Sequence, residues 1–76
     1  SNSVRTVVNQ EDKSVWFVAK DVLQILLDKK NPNVGESIKD LDEDERSSFK
    51  MMTFGGDQEM TIISESGLYS LIMRSR

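Results

Sequence analysis

The sequence predicts an α+β fold with two antiparallel β-hairpins, two main helices and one short helix. Apolar, β-favouring runs occur in two pairs, and a polar turn separates the members of each pair. After each pair, the apolar spacing changes to the three-and-four period of a helix. The predicted order is strand, strand, helix, short helix, strand, strand, helix, which differs from the strict alternation of parallel βαβ proteins.

The first pair of runs predicts a hairpin over residues 4–17. Val and Thr alternate with other residues in segment 4–8, the polar segment 9–14 follows, and the apolar run 15–18 comes next. Two β-favouring runs around a polar turn are typical of a hairpin. Because the linker is longer than the tightest hairpin loops, the sequence leaves the pairing register open.

A helix is predicted over residues 19–30. Asp21 in its first turn and Lys29 and Lys30 in its last turn complement the helix dipole. Pro32 ends it, because the residue before a proline disfavours the helical conformation. The apolar stripe of this helix consists of Val18, Val22, Leu23, Ile25, Leu26 and Leu27.

A short helix is predicted over residues 33–41, with Asn33 as its N-cap and Glu36 three residues later. Segment 40–45 is rich in Asp and Glu, and we interpret it as a solvated helix end or loop. Abundant carboxylates on a polar segment are more typical of such a solvated face than of paired catalytic acids.

The second hairpin is predicted from the runs 49–54 and 60–63, with a turn over residues 55–59. Gly55 and Gly56 are interpreted as hairpin glycines, because a phosphate loop would need a Gly-Lys-Ser/Thr ending before a helix. Ser64 is predicted to cap the last helix. Its apolar residues are Leu68, Leu71 and Ile72, with Tyr69 and Met73 beside them.

Composition excludes several classes of function. The chain has 76 residues without Cys or His, which excludes a zinc finger, a structural disulfide, a thiol nucleophile and a histidine base. No calcium-loop spacing and no membrane-length apolar run occur, so we expect no metal, no cofactor and no membrane. The absence of a signal sequence and of Cys favours the cytoplasm. These observations predict a binding module rather than an enzyme.

Charge and aromatic residues leave alternatives open. Ten basic residues face thirteen acidic ones, which argues against nucleic-acid binding unless basic side chains converge in the fold. The lysines and arginines at helix ends either complement the helix dipole or form a phosphate-binding face.

Trp16 is expected in the core rather than on a recognition surface. The methionines at positions 51, 52, 60 and 73 are expected to fill the core or the hairpin faces.

Three stretches of the sequence carry a more specific signal than composition and periodicity do. The run 15–22 reads Val-Trp-Phe-Val-Ala-Lys-Asp-Val and closely resembles the opening of the BRO family N-terminal domain, which occurs in phage antirepressor and baculovirus proteins. The run 53–60 resembles the Gly-Gly hairpin of that family, and the run 62–75 its Asn-Glu-Ser-Gly-Leu-Tyr signature. Two departures occur, since Ser64 replaces the usual Asn and segment 28–32 replaces a usual Gly-Tyr. The residues that carry the resemblance and have structural explanations are Trp16, Phe17, Asp21, Gly55, Gly56, Ser64, Gly67, Leu68 and Tyr69.

The resemblance implies a DNA-binding module of a prophage antirepressor, acting in the cytoplasm of a bacterial host. Double-stranded DNA is the implied partner, and the basic residues in or near the matched motifs are Lys20, Lys50, Arg74 and Arg76. The alternative is a protein-interaction module that binds a phage repressor or forms a homodimer. The resemblance also implies a domain over residues 4–76 that continues beyond the last residue, with residues 1–3 as a tag scar or disordered start.

Overall fold

Residues 3–74 are described by the computed structural model, and the expectations for the extreme N-terminus and for Arg76 lie outside this range. The α+β prediction is confirmed. In chain order the elements are β1 (Thr6–Val8), β2 (Val15–Val18), α1 (Ala19–Leu26), α2 (Val34–Ile38), a 3₁₀ turn (Glu43–Glu45), β3 (Arg46–Thr53), β4 (Gly56–Ile63) and α3 (Glu65–Arg74).

The two hairpins join into one curled antiparallel sheet with the strand order β1-β2-β4-β3. The first hairpin has the register Val7↔Trp16, and the two hairpins meet where Phe17 pairs with Ile63. β3 pairs with β4 without a bulge from Arg46↔Ile63 to Thr53↔Gly56. β1 and β3 are therefore the two edges of the sheet.

The core lies between the helices and one face of this sheet. Ile63 of β4 is fully buried there, and Phe17 of β2 packs against the same cluster. Because side chains alternate along a strand, Phe17 and Ile63 point towards the helices, and their neighbours in sequence point the other way. The helices and loops contribute Ala19, Val22, Leu23, Ile38, Leu41 and Leu71.

The expectation that Trp16 belongs to the core is wrong. The alternation that directs Phe17 to the helices directs Trp16 to the opposite face of the sheet, where the ring is half-buried. Its indole nitrogen donates a hydrogen bond to Ser14 Oγ at 3.0 Å. We call this opposite side the open face and define it by Val7, Trp16, Phe49, Met51 and Met60.

The first helix ends earlier than predicted. α1 stops at Leu26, and Asp28 adopts a left-handed conformation with φ of 52°. The Lys29 N–H donates to the Gln24 carbonyl at 3.2 Å, so the helix closes in the pattern of a Schellman motif. Lys29 and Lys30 therefore lie beyond the helix and not in its last turn, because an αL residue ended the helix before Pro32 could.

The short helix has the predicted cap but a nearer end. The Asn33 side chain accepts from the Glu36 N–H at 3.1 Å, as predicted. α2 ends at Ile38, and Leu41 is buried from the following turn. Part of the acidic segment forms the 3₁₀ turn Glu43–Glu45, closed by a bond from the Asp42 N–H to the Glu45 carboxylate at 3.0 Å.

The second hairpin is longer and its turn is tighter than predicted. The turn comprises residues 54–55, and the predicted turn residues 57–59 belong to β4. Thr53 Oγ1 donates to the Gly56 carbonyl at 2.7 Å and accepts from the Gly55 N–H at 3.2 Å. Gly56 has φ of 101°, a conformation that side chains rarely adopt, and this is why the Gly-Gly pair lies at the turn.

The last helix begins as predicted. Ser64 Oγ accepts from the Gly67 N–H at 3.1 Å, and Leu68 packs against the core. Tyr69, which the sequence places beside the apolar residues of this helix, is 58% exposed. Tyr69 lies one residue beyond Leu68 on the helix and therefore points about 100° away from the core stripe.

Replacing the cap of α3 gives a first test of this description. We expect Ser64→Ala to lower the free energy of unfolding by about 1 kcal/mol, because the Gly67 N–H then has no side-chain acceptor. Ser64→Asn retains a capping oxygen and should stay close to the wild-type value. Urea unfolding of the three proteins checks this, and equal losses in both variants would contradict the capping role.

Candidate nucleic-acid interface

The β3–β4 hairpin forms a two-stranded ribbon that extends beyond β2. β2 pairs with β4 only at its base, through Phe17↔Ile63 and Val18↔Ile62. Nearly every residue from 47 to 59 is exposed. At the tip, Met52 is 84% exposed and Phe54 is fully exposed. The ribbon therefore presents an apolar tip that no other element between residues 3 and 74 covers.

Acidic charge collects at the other end of β3. Segment 40–45 contains five of the thirteen acidic residues, and β3 begins directly after it. The rest of the chain carries a net charge of +2, since the total is −3 and this segment supplies −5. Eight strand residues at about 3.3 Å each separate the acidic segment from the ribbon tip by roughly 25 Å. Five of the acidic side chains are therefore gathered at the end of β3 that lies opposite the ribbon tip, while the ribbon itself carries Lys50, Asp57 and Glu59.

Two of the predicted basic residues lie towards the ribbon. Lys50 lies on β3, directly opposite Glu59 of β4, and its side chain is exposed. Lys20 is an exposed residue in the first turn of α1. β2 and β3 both run antiparallel to β4, so both advance towards the tip, and Lys20 follows the end of β2.

The third predicted residue, Arg74, lies at the acidic end. One guanidinium nitrogen is 3.9 Å from the Asp40 carboxylate, and another donates to the Asp40 carbonyl at 3.5 Å. The structure thus brings Arg74 to the acidic segment, at the end of β3 opposite the ribbon tip, and does not unite it with Lys20 and Lys50. Arg76 lies outside the described residues.

A charged pair that the sequence reasoning missed ties the N-terminal strand to α1. Both Asp21 carboxylate oxygens accept from the Arg5 guanidinium, at 2.8 and 2.9 Å, and one of them also accepts from the Arg5 backbone N–H at 2.9 Å. The Asp21 side chain is 8% exposed and that of Arg5 is 44% exposed. For Asp21 the sequence predicts only a complement to the helix dipole, because the tertiary fold alone brings Arg5 to it, across sixteen residues.

This pair shifts the titration of both members. The hydrogen bonds from the Arg5 side chain lower the pKa of Asp21, and the backbone bond and the charges of Arg5 and Lys20 act in the same direction against the effect of burial. The same bond raises the pKa of Arg5. Asp21 is therefore ionised and engaged in structure near neutral pH, which makes it a clamp rather than a proton donor.

Between residues 3 and 74, no group of three or more Asp, Glu, His or Cys side chains could hold a metal ion. In the same range, no helix is long and apolar enough to cross a membrane. A cavity of about 320 Å³ on the open face is lined by Trp16, Phe49 and Ile62 together with uncharged polar residues. The described residues thus present an apolar concave face and an exposed ribbon.

Residues 3–74 form a small α+β domain with a protruding two-stranded ribbon. A family model described as the BRO family, N-terminal domain, matches residues 3–76. The chain therefore belongs to the BRO family of N-terminal domains, and the resemblance seen in the sequence is confirmed. The family is one of regulatory, non-catalytic domains and is consistent with nucleic-acid binding. No curated protein and no solved structure gave a match.

Proposed function

We propose that this chain is the DNA-binding module of an antirepressor-type transcriptional regulator, encoded by a prophage and acting in the bacterial cytoplasm. The observation that carries the proposal is family membership over residues 3–76. Duplex DNA is the partner, and the module acts without a cofactor. Arg74 and Arg76 have only a secondary place in this proposal, because Arg74 is held by Asp40.

The ribbon is the proposed recognition element. A two-stranded β-ribbon fits the major groove of B-DNA, and exposed apolar side chains such as those of Met52 and Phe54 suit contact with base edges and thymine methyl groups. Lys20 and Lys50 supply the phosphate contacts that position the ribbon. In this orientation the acidic segment 40–45 points away from the phosphates, which is how a chain with net charge −3 can bind a polyanion.

Paired charge variants test this arrangement. We expect the double variant Lys20→Gln/Lys50→Gln to weaken binding to a fluorescent DNA duplex at low salt by about tenfold or more, because two phosphate contacts are lost. The matched control Lys29→Gln/Lys30→Gln changes the net charge equally, at exposed positions beyond α1. It should weaken binding much less. Equal weakening in the two double variants would contradict the proposed face.

The same DNA-binding titrations distinguish the proposed function from the alternative, a module that binds a repressor protein. A module that binds a repressor protein without touching DNA would use the exposed apolar side chains Phe49, Met52 and Phe54 instead of the lysines. In that case the wild-type domain would not bind duplex DNA at low salt. Pull-down of a phage repressor protein would then depend on Phe54 and not on Lys20.

A further inference from the structure

The outer edge of β3 is long, regular and unpaired. β3 has eight residues, pairs with β4 on one side, and stands at the end of the strand order β1-β2-β4-β3. Within residues 3–74, no backbone hydrogen bond joins residues 47–52 to any element other than β4. Natural edges are usually protected by short strands, prolines, bulges or charged side chains such as lysine. β3 is long and has no proline and no bulge over its eight consecutive pairs, and Arg46 and Lys50 are its only charged residues.

We infer that β3 is the interface of a symmetric homodimer, in which it pairs antiparallel with β3 of a second copy and Phe49 faces Phe49 across the two-fold axis. The result is a continuous eight-stranded sheet whose two open faces lie on the same side. This inference follows from the sheet edge alone and does not rest on the proposed function. It applies to the protein free of DNA, because pairing along β3 turns the two-stranded ribbon into four strands and sets Lys50 against the second copy.

Charge selects this register from the alternatives. Facing residues of an antiparallel pair point to the same side of the sheet, so the strands can slide only in steps of two residues. Centring the pair on Lys50 would place two lysines opposite each other. Centring it on Ser48 would place Arg46 opposite Lys50 twice. Like charges in these positions are destabilising.

Centring the pair on Phe49 avoids both conflicts and uses nearly the whole edge. Residues 46–52 of each copy then face each other, with Lys50 opposite Ser48 and Arg46 opposite Met52. Centring on Met51 also avoids like charges but overlaps only residues 49–53. The longest overlap free of like-charge pairs is therefore the one centred on Phe49.

Two side-chain observations complement a second copy in this register. Phe49 is 43% exposed on the open face, and a cross-strand aromatic pair would cover that ring. Ser48 Oγ donates to the Glu59 carboxylate at 3.2 Å, which draws this carboxylate towards the edge. Lys50 of the second copy lies directly opposite Ser48, so its ammonium group meets the Glu59 carboxylate across the small serine. The edge is thus complementary to itself in charge.

Single cysteine substitutions report the register between the two copies of β3 directly, because the chain contains no cysteine of its own. We expect Phe49→Cys, oxidised with oxidised glutathione, to form a disulfide-linked dimer readily, since facing strand residues have Cα atoms about 4.5 to 5.5 Å apart and disulfides span that distance. Ser48→Cys, Lys50→Cys and Met51→Cys each face a different residue of the partner and should cross-link slowly. Met52→Cys, at an exposed position, controls for random collision.

Light scattering on the unmodified chain supplies the second readout. The expected mass at high micromolar concentration is twice the monomer mass of 8.7 kDa, and Phe49→Glu should halve it while circular dichroism stays unchanged. A strictly monomeric wild-type protein would overturn the inference. So would a cysteine at position 48, 50 or 51 that cross-links faster than the one at position 49.

Discussion

Replacing Gly67 by alanine should destabilise the domain by about 1–2 kcal/mol. A Cβ at this position would lie 2.9 Å from the Glu45 carbonyl oxygen and 3.3 Å from the Glu45 Cβ. Overpacking of this kind costs about 1–3 kcal/mol, whereas alanine in place of glycine in a helix returns at most about 1 kcal/mol. The net effect is a loss, and in a domain of this size such a loss is a large part of the total stability.

The neighbour cannot easily retreat, which is why the loss should be measurable. The Glu45 carbonyl also accepts from the Ser64 N–H at 2.9 Å, so moving it strains the connection between the 3₁₀ turn and the start of α3. Gly35→Ala is the matched control, because its Cβ would meet only Asn33 Oδ1 at 3.9 Å. Denaturant unfolding should find Gly35→Ala neutral or stabilised and Gly67→Ala destabilised. Equal behaviour of the two variants would contradict a close backbone approach at Gly67.

Removing the carboxylate of Asp21 should cost about 2–3 kcal/mol. Asp21→Ala leaves both the Arg5 guanidinium and the Arg5 backbone N–H without their acceptor. Losing hydrogen bonds to a charged group costs about 1.5–3 kcal/mol, and the partial exposure of Arg5 keeps the total below that of a fully buried pair. Asp21→Asn keeps one acceptor oxygen, so its loss should be smaller.

The pH dependence of the free energy of unfolding provides the strictest test of the Arg5–Asp21 pair. Because hydrogen bonds from Arg5 lower the pKa of Asp21 in the folded state, its contribution is complete above the unfolded value of about 3.9 and is lost as pH falls through the folded pKa. The stability gap between wild type and Asp21→Asn should therefore be widest near neutral pH and close below about pH 4. Asp12, whose pKa is also lowered, is common to both proteins and cancels. A gap that stays constant on acidification would contradict the ionised clamp.

The sequence predicted the features that depend on contacts between residues close together in the chain. The caps at Asn33 and Ser64 and the Gly55-Gly56 turn depend on neighbours within three or four residues, and all of them are present. Element ends were less predictable. The αL conformation of Asp28 ended α1 four residues before the predicted end, and no residue type in that segment demands it.

Features that depend on tertiary contact could not be predicted from the sequence. The Arg5–Asp21 pair joins residues sixteen positions apart, and the union of the two hairpins through Phe17↔Ile63 spans forty-six. All four residues of β2 are apolar, so the sequence of this strand does not indicate whether Phe17 or Trp16 points towards the helices. The sequence motifs group Arg74 with Lys20 and Lys50, but in the fold Arg74 lies beside Asp40, apart from the two lysines.

The central claim is that the ribbon end of this domain contacts DNA phosphates through Lys20 and Lys50. The most direct measurement is the slope of log K against log salt for duplex binding, compared between wild type and Lys20→Gln/Lys50→Gln. Each phosphate contact contributes about 0.9 to that slope, so the double variant should show a slope shallower by about 1.8. An unchanged slope, or a wild-type domain that fails to bind duplex DNA at low salt, would contradict the claim.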